Sequence, residues 1–332
     1  MVRIFIALST LVWGINAFGF GSPPLRISSG SITGVYFPIS SAIAKMIQHR
    51  QGYDVTVLQT AGSIDNIQRL LKGDTDLALT AADNLYSAYN QQPPFQNQSA
   101  GKSLRVIASI YPELLHIIVH KKCLLSKYRI LLPGVLARCS LNLGPANSGT
   151  LEHALMVLSE LKLAPKNTTK YDFETATEKI MAGEIDGGFF TVGIQSLTIT
   201  SLMNSGDYVL LSLPGTVEQK IRLKYPYLTI QNILSNTYLH QPYAVSTLAI
   251  YAQLATTSYL SKSMVREVIE TLMADIHELR AAHACGRNFS LQSALDGINI
   301  PIHDGAKEFF VKQGILSSID GSKGNTEGGR VP

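Results

Sequence analysis

A helix-to-strand junction occurs twice in this chain, and this repeat restricts the fold more than any other feature. Residues 70–76 read LLKGDTD and residues 180–186 read IMAGEID, so Asp76 and Asp186 stand 110 positions apart. In each copy a glycine suits the left-handed residue that ends a helix, and the last acid begins an apolar strand. The repeat favours two α/β units built on one plan. The alternative is convergent turn chemistry, since such junctions are common.

Alternating strands and helices surround the first copy. A helix is indicated after residue 35 by apolar residues at positions 39, 43, 46 and 47, the spacing of a buried helical face. A second helix is expected over 65–72, and a third over 84–90. The strands are expected at Leu25–Ser28, Val55–Leu58 and Leu77–Thr80. This βαβα order predicts a parallel sheet with helices on both faces.

The second copy has the same order. Strands are expected over 140–143 and 187–191, with a Gly/Ser-rich turn at 144–150, a helix over 151–161 and another ending at residue 182. Between the copies, strands 104–111 and 115–120 are expected to be interrupted by Pro112 and Glu113. A strand over 246–255 and a helix over 262–282 then return the chain to the first unit.

These elements predict an α/β fold of two lobes with a hinge and a central cleft. The first lobe is expected to comprise residues 22–112 and 251–320, and the second lobe residues 113–250. Residues 321–332 are rich in Gly, Ser, Lys and Asn and predict a flexible tail.

The amino terminus predicts export. Arg3 precedes an apolar run from Ile4 to Trp13, and small residues follow, so residues 1–21 are typical of a signal peptide. The alternative is a buried strand or helix. The apolar run is shorter than the roughly 20 residues that span a bilayer. We therefore expect a periplasmic protein whose signal peptide is removed.

Composition excludes other classes. Hydrophobic residues make up 45% of the chain and charged residues 16%, which argues against disorder. The formal net charge is +4, but the basic residues are scattered, so no nucleic-acid partner is expected. Cys123 and Cys139 are candidates for a disulfide in an oxidising compartment, with buried free thiols as the alternative. His277, His283 and Cys285 lack ligand spacing, so no metal and no cofactor is expected.

Ligands of open parallel sheets bind beyond the carboxyl ends of the strands, where loops enter helices. The turn at 144–150 offers free amides at a helix start with the hydroxyls of Ser148 and Thr150, a site for a carboxylate or an ordinary helix cap. Asp83 can accept from an ammonium group or cap its helix. Ser63 can likewise cap a helix, and Phe190 can pack in the core. The predicted ligand-binding set is Thr33, Gly34, Tyr36, Ser63, Asn66, Asp83, Ser148, Gly149, Thr150 and Phe190.

Several ordered motifs resemble the receptor subunits of the TAXI branch of TRAP transporters. They comprise GSITGVYFP at 30–38, GSIDN at 62–66, Gly73 with Asp76 and Asp83, YPE at 111–113, GPANSGT at 144–150, KYP at 224–226 and IPIH at 300–303. The resemblance spans about residues 25–315. Departures include Phe37 for the second Tyr of the first motif, GIQ at 193–195 for Gly-x-Pro, and Asp304 for the Pro of His-Pro-Gly.

This resemblance implies that the α/β lobes form a bilobal periplasmic solute-binding protein fold of the type II-like kind. It also implies an extracytoplasmic receptor that closes around a small carboxylate or amino-acid-like ligand, similar to glutamate or glutamine. Its expected partners are that ligand and the membrane subunits of a TRAP transporter. The chain carries no HExxH, nucleophile elbow or CxxC motif, so we do not expect an enzyme. The alternative function is an exported bilobal ligand sensor or surface protein with no transport role.

Overall fold

The computed structural model of the chain describes residues 24–96, 98–124, 129–162, 164–225 and 228–317. The predicted signal peptide and tail lie outside these residues. The strands in the described part are β1 (Leu25–Ser28), β2 (Val55–Leu58), β3 (Leu77–Ala81), β4 (Leu104–His120), β5 (Ser140–Asn142), β6 (Asn167–Thr169), β7 (Gly187–Val192), β8 (Tyr208–Leu210), β9 (Thr229–Ile233) and β10 (Val245–Thr257).

The helices lie between and beside these strands, and short 3-10 turns complete the connections. The helices are α1 (Tyr36–Gln51), α2 (Ser63–Lys72), α3 (Ala82–Tyr89), α4 (Pro133–Leu136), α5 (Gly149–Leu161), α6 (Phe173–Met181), α7 (Leu197–Asn204), α8 (Gly215–Lys224), α9 (Lys262–Ala274), α10 (Ile276–Ala282) and α11 (Asp304–Lys312).

The strands form one sheet in the order β2-β1-β3-β10-β4-β7-β5-β6, with β8 beside β4 and β9 beside β10. Strand β1 pairs in parallel with β2 and β3, and β5 pairs in parallel with β6 and β7. We call β1–β3 with α1–α3 the first half, and β5–β7 with α5–α7 the second half. The two halves therefore repeat one topology, as the sequence repeat predicts. The antiparallel strands β4 and β10 lie between them.

The repeated junctions have the predicted geometry. Gly73 and Gly183 have φ values of 75° and 74°, in the left-handed region that favours glycine. The acids after these glycines make equivalent hydrogen bonds. The Asp76 carboxylate accepts a 2.8 Å hydrogen bond from the Arg26 amide, and the Asp186 carboxylate accepts one of 2.8 Å from the Ser140 amide. Each acid thus joins the start of its own strand to the adjacent central strand of its half.

The predicted break at Pro112 and Glu113 is wrong. Strand β4 continues through both residues, pairing with β10 up to Leu114 and with β7 from Leu114 onward. Pro112 pairs in register with Tyr251 of β10, and the nearest register shift lies just before it, between Ser109 and Tyr111. Consequently β4 runs unbroken from beside the first half to beside the second.

The expected single helix over 262–282 is also wrong, because α9 ends at Ala274 and α10 begins at Ile276. Asp275 between them leaves the helical conformation, and its carboxylate accepts a 2.8 Å hydrogen bond from the Arg50 side chain on α1. A tertiary contact thus stabilises a break that helical periodicity does not reveal.

Cys123 and Cys139 form a disulfide with a Cα–Cα distance of 6.1 Å, so the structure decides between the two alternatives that the sequence left open, and Cys285 is a buried free thiol. The bond ties the end of β4 to the start of β5, and both sulfur-bearing residues are buried beside the second half. Among the described residues, none of the helices combines the length and apolar character needed to cross a bilayer.

Candidate functional site

A cavity lies where the two halves meet, and it encloses about 620 Å³ of space that includes some open solvent. Equivalent loops of each half line it: those before the first and second helices, and the end of the third strand. The first half contributes Gly30, Ser31, Gly34, Val35, Tyr36, Gln59, Thr60, Ala61, Gly62, Ser63 and Ala81. The second contributes Pro145, Ser148, Gly149, Thr150, His153, Asp172, Phe173, Glu174, Thr191 and Val192, and β4 adds Glu113.

The starts of α2 and α5 face each other across this cavity. The Asp65 amide in the first turn of α2 donates a 3.1 Å hydrogen bond to the Asn147 carbonyl oxygen in the loop before α5. A Cβ atom added at Gly149 would lie 2.7 Å from the Asn84 side-chain oxygen and 3.3 Å from the Ser63 hydroxyl oxygen. An alanine there would require the Asn84 side chain to move, so the two helix starts are packed closely together, which we call the closed arrangement.

The two serines at these helix starts have different roles. Ser148 caps α5, because its hydroxyl oxygen accepts a 3.2 Å hydrogen bond from the Leu151 amide. The predicted cap by Ser63 is wrong: Gly62 occupies the cap position of α2, and the Ser63 hydroxyl accepts a 3.0 Å bond from the Ala81 amide. Ser63 therefore holds the end of β3 against α2.

Glu113 is the buried acid of the cavity, with a relative exposure of 4%. Its carboxyl group accepts a 2.6 Å hydrogen bond from the Tyr36 hydroxyl, which also lies 3.2 Å from the Ser63 hydroxyl. Burial raises the pKa of Glu113 to about 8; the Tyr36 hydrogen bond opposes this rise and the nearby Asp83 charge adds to it. At neutral pH the neutral acid is therefore the main form.

A buried pair connects the halves beneath the cavity. The Asp83 carboxylate, in the first turn of α3, lies 2.7 Å from His153 Nε2 on α5. His153 Nδ1 lies 2.8 Å from the Thr191 hydroxyl at the end of β7. The second carboxylate oxygen of Asp83 has no hydrogen-bond partner among the described residues. Asp83 does not cap α3, since Ala81 holds the cap position, so the capping alternative is wrong.

A second connection lies at the mouth of the cavity. The Glu174 carboxylate on α6 accepts a 2.8 Å hydrogen bond from the Ser31 hydroxyl and a 3.1 Å bond from the Thr33 amide. The Thr33 hydroxyl lies 2.9 Å from that of Thr198 on α7. The loop before α1 is thereby fastened to two helices of the second half.

The ionisable groups that line the cavity are mainly acidic. They are Glu113, Asp172 and Glu174, together with the titratable His153, and none of the described lining residues is Lys or Arg. A ligand carboxylate therefore has only dipoles to stabilise it, such as the amides at the starts of α2 and α5, whose first residues line the cavity. A ligand ammonium group, by contrast, has carboxyl partners.

Six of the ten predicted ligand-binding residues line the cavity: Gly34, Tyr36, Ser63, Ser148, Gly149 and Thr150. The other four do not line it in this conformation. Thr33 binds Glu174, and Asn66 is buried and donates to the Ser29 and Leu79 carbonyl oxygens. Asp83 lies behind His153, and Phe190 packs edge-to-face on Phe173 with ring centroids 5.2 Å apart.

Sequence reasoning missed three important lining residues: Glu113, His153 and Glu174. Glu113 could have been identified from the sequence, because it is an acid within the apolar stretch of β4. A buried acid is often part of a functional site. His153 lies on the buried face of α5, where an apolar residue is the usual choice. Glu174 in the first turn of α6 reads as an ordinary helix-start acid, so no local signal distinguishes it.

Solved structures with this arrangement share low sequence identity with the chain. One is a protein of Bordetella bronchiseptica RB50, with a TM-score of 0.51 and 14% identity over 91% of this chain and 85% of that chain. Holo ArgBP from T. maritima has a TM-score of 0.43 and 12% identity over 75% and 88%. The alkanesulfonate-binding protein SsuA from Xanthomonas axonopodis pv. citri has a TM-score of 0.43 and 15% identity over 79% and 78%.

The mixed α/β architecture, with two repeated parallel halves in one sheet, confirms the predicted α/β fold class. A family model described as NMT1-like matches residues 27–314. The chain belongs to the NMT1-like family.

Proposed function

We propose that this chain is a periplasmic solute-binding protein that encloses a small amino-acid-like ligand between two lobes and is not an enzyme. The observation that carries the proposal is the cavity itself, formed by equivalent loops of two repeated halves. The lobes are proposed to be residues 22–112 with 251–320, and residues 113–250, joined through β4 and β10.

The lining supports a zwitterionic ligand. The helix starts at Ser63 and Gly149 offer amide donors to a carboxylate, while Glu113 and Glu174 offer acceptors to an ammonium group. Because lysine and arginine are missing from the described lining, a ligand with no net charge fits better than one with excess negative charge. Of the two amino acids suggested by the resemblance, this favours glutamine over glutamate.

Hinge closure is the proposed mechanism. In the closed arrangement Asp65 binds Asn147, Asp83 binds His153 and Glu174 binds Thr33, and each pair joins the two halves. A ligand that contacts both halves stabilises this state relative to an open one, in proportion to its differential affinity. The loaded closed form is proposed to deliver its ligand to the membrane subunits of a TRAP transporter. The ordered motifs shared with the TAXI receptors support this partner.

A binding panel tests the proposal. Calorimetry with L-glutamine, L-glutamate, other amino acids and dicarboxylates should show saturable binding of at least one amino acid, which mass spectrometry should recover unchanged. Gly149→Ala should weaken that binding by about tenfold or more, because its methyl group meets Asn84 and Ser63 only when the halves close.

Gly215→Ala is the matched control. Gly215 is the exposed first residue of α8, and an added Cβ there meets nothing within 4 Å, so binding should be unchanged. The ligand class is wrong if no amino acid binds. The closure mechanism is wrong if Gly149→Ala binds as tightly as the control.

A further inference from the structure

The cavity contains one acid whose surroundings suit a proton exchange. The Glu113 carboxyl group is buried, and its hydrogen bond from Tyr36 reaches only one of the two oxygens. The other oxygen has no hydrogen-bond partner among the described residues, and the residue lines the cavity. The second carboxyl oxygen of this mostly buried residue, left without a donor at a cavity wall, can therefore bind a group that enters the cavity.

The groups around Glu113 do not neutralise it. Tyr36 on α1, Asp83 on α3 and Tyr111 on β4 interact with it electrostatically, as does the buried Cys285 thiol beyond the end of α10. All four are neutral or negative at pH 7. The one basic group of the lining, His153, is already held by Asp83. The carboxyl group therefore retains its proton, because no cation beside it stabilises the ionised form.

We propose that Glu113 exchanges its proton for the ammonium group of the ligand, so that binding releases one proton and requires a cationic nitrogen. The inference rests on the proposed function and names the ligand group that the same site selects. In the empty cavity the proton is on the carboxyl oxygen that Tyr36 does not reach. When the ammonium arrives, that O–H bond breaks, the proton passes to solvent, and the new carboxylate accepts an N–H hydrogen bond.

This exchange explains how an acid-lined cavity selects its ligand. A cation converts Glu113 from a buried neutral acid into half of an ion pair, whereas a ligand without a cation leaves the acid neutral and forms no such pair. A carboxylate-only ligand thus gains nothing at this position. The ammonium group supplies the selectivity, and the helix starts supply the orientation.

The experiment is calorimetry at pH 7 in phosphate and in Tris, two buffers with different ionisation enthalpies. The probes are L-glutamine and glutaramate, which lacks only the α-ammonium group. For the unaltered protein, the difference in observed binding enthalpy between the two buffers should correspond to release of nearly one proton per L-glutamine bound. Its affinity should rise about tenfold per pH unit below pH 8 and then level off. Glutaramate should bind at least tenfold more weakly and release none.

Glu113→Gln is the decisive variant, since it keeps the shape of the neutral acid. It should release no proton, lose the pH dependence and bind L-glutamine at least tenfold more weakly. Tyr36→Phe keeps the acid and removes its hydrogen bond. It should still release a proton, but its affinity should level off at a higher pH, because that bond lowers the pKa of Glu113.

The outcomes separate two failures. If L-glutamine binds but releases no proton, or if Glu113→Gln still releases one, Glu113 is not the exchanging group and the solute-binding proposal stands. If neither probe nor any amino acid of the panel binds the unaltered protein, the proposed function fails and the inference falls with it. If Glu113→Gln does not fold, Tyr36→Phe provides the test. The inference is overturned if the affinity of Tyr36→Phe for L-glutamine becomes constant at the same pH as that of the unaltered protein.

Discussion

The two halves of the sheet have the same topology but bring different chemistry to the cavity. The first half lines it with glycines, hydroxyl groups and the amide of Gln59, all of them uncharged. The second half contributes Asp172, Glu174 and His153 from the equivalent loops and helix. The repeated backbone thus positions two matching sets of loops, and side-chain choice makes one wall neutral and the other ionisable.

The comparison extends to how each half is held. The disulfide between Cys123 and Cys139 ties the end of β4 to the start of the second half, and the first half has no cysteine in the part of it that the structure describes. Glu113 belongs to neither half, because β4 carries it between them. The predictions below act on these differences.

The largest expected effect concerns Glu113. Its pKa rises from 4.5 when exposed to about 8 in the fold, so the folded state holds a proton that the unfolded state releases above pH 4.5. The free energy of unfolding should therefore fall by up to about 1.4 kcal/mol per pH unit between pH 4.5 and 8. Below pH 4.5 both states are protonated and this contribution is constant. Above pH 8 both are ionised.

Glu113→Gln should remove that dependence. Urea denaturation from pH 5 to 9 should show the variant gaining stability relative to the unaltered protein as pH rises. Glu178→Gln, an exposed acid on α6, provides the control and should keep the original pH profile. Parallel profiles for the unaltered protein and Glu113→Gln would contradict the burial of an uncompensated acid between the halves.

The next largest expected effect concerns the disulfide beside the second half. Replacing both Cys123 and Cys139 with Ala should lower the free energy of unfolding by about 3 kcal/mol, because the bond restricts a loop of 16 residues in the unfolded chain. Reductant should destabilise the unaltered protein similarly and leave the double variant unchanged. A reductant effect on the double variant would show that another thiol contributes.

The buried pair that joins the halves should matter somewhat less. Asp83→Ala leaves His153 buried without its partner and should cost about 1–3 kcal/mol in the free energy of unfolding. Asp74→Ala, an exposed acid after α2, should have little effect. The double-mutant cycle with His153→Ala should give a coupling energy of at least about 0.5 kcal/mol, and strict additivity would exclude a direct interaction.

The smallest expected effect is at the mouth of the cavity. Glu174→Gln weakens the hydrogen bonds from Ser31 and Thr33 and should cost about 1 kcal/mol in the closed state. Small-angle scattering should then show a more open average shape in the absence of ligand. Glu178→Gln on the same helix is again the control. An equal opening in both variants would show that the contact of Glu174 with Ser31 and Thr33 does not stabilise the closed state.

Much of the first half could be predicted because its signals are local. The strands Leu25–Ser28 and Val55–Leu58 have the predicted bounds, and α2 differs only at its start. Apolar periodicity and the helix-ending Gly73 lie within a few residues of the elements that they define. The continuous β4 could not be predicted, since its neighbours β10 and β7 come from far along the chain.

The same distinction applies to the site. Loops that follow strands could be identified from the order of elements, and six predicted residues line the cavity. The partnerships of Tyr36 with Glu113 and of Asp83 with His153 span 77 and 70 positions, and no local pattern reports them. Phe190 illustrates the converse, because only the packed structure shows that Phe173, which contacts Phe190, lines the cavity in its place.

The sequence by itself determined the repeated α/β plan, since chain order and periodicity dictate a parallel sheet and place its loops at one edge. Only the tertiary structure decided the chemistry of the cavity. Burial and long-range contacts set the charge of an acid such as Glu113, and both depend on which distant residues surround it rather than on its neighbours in the chain.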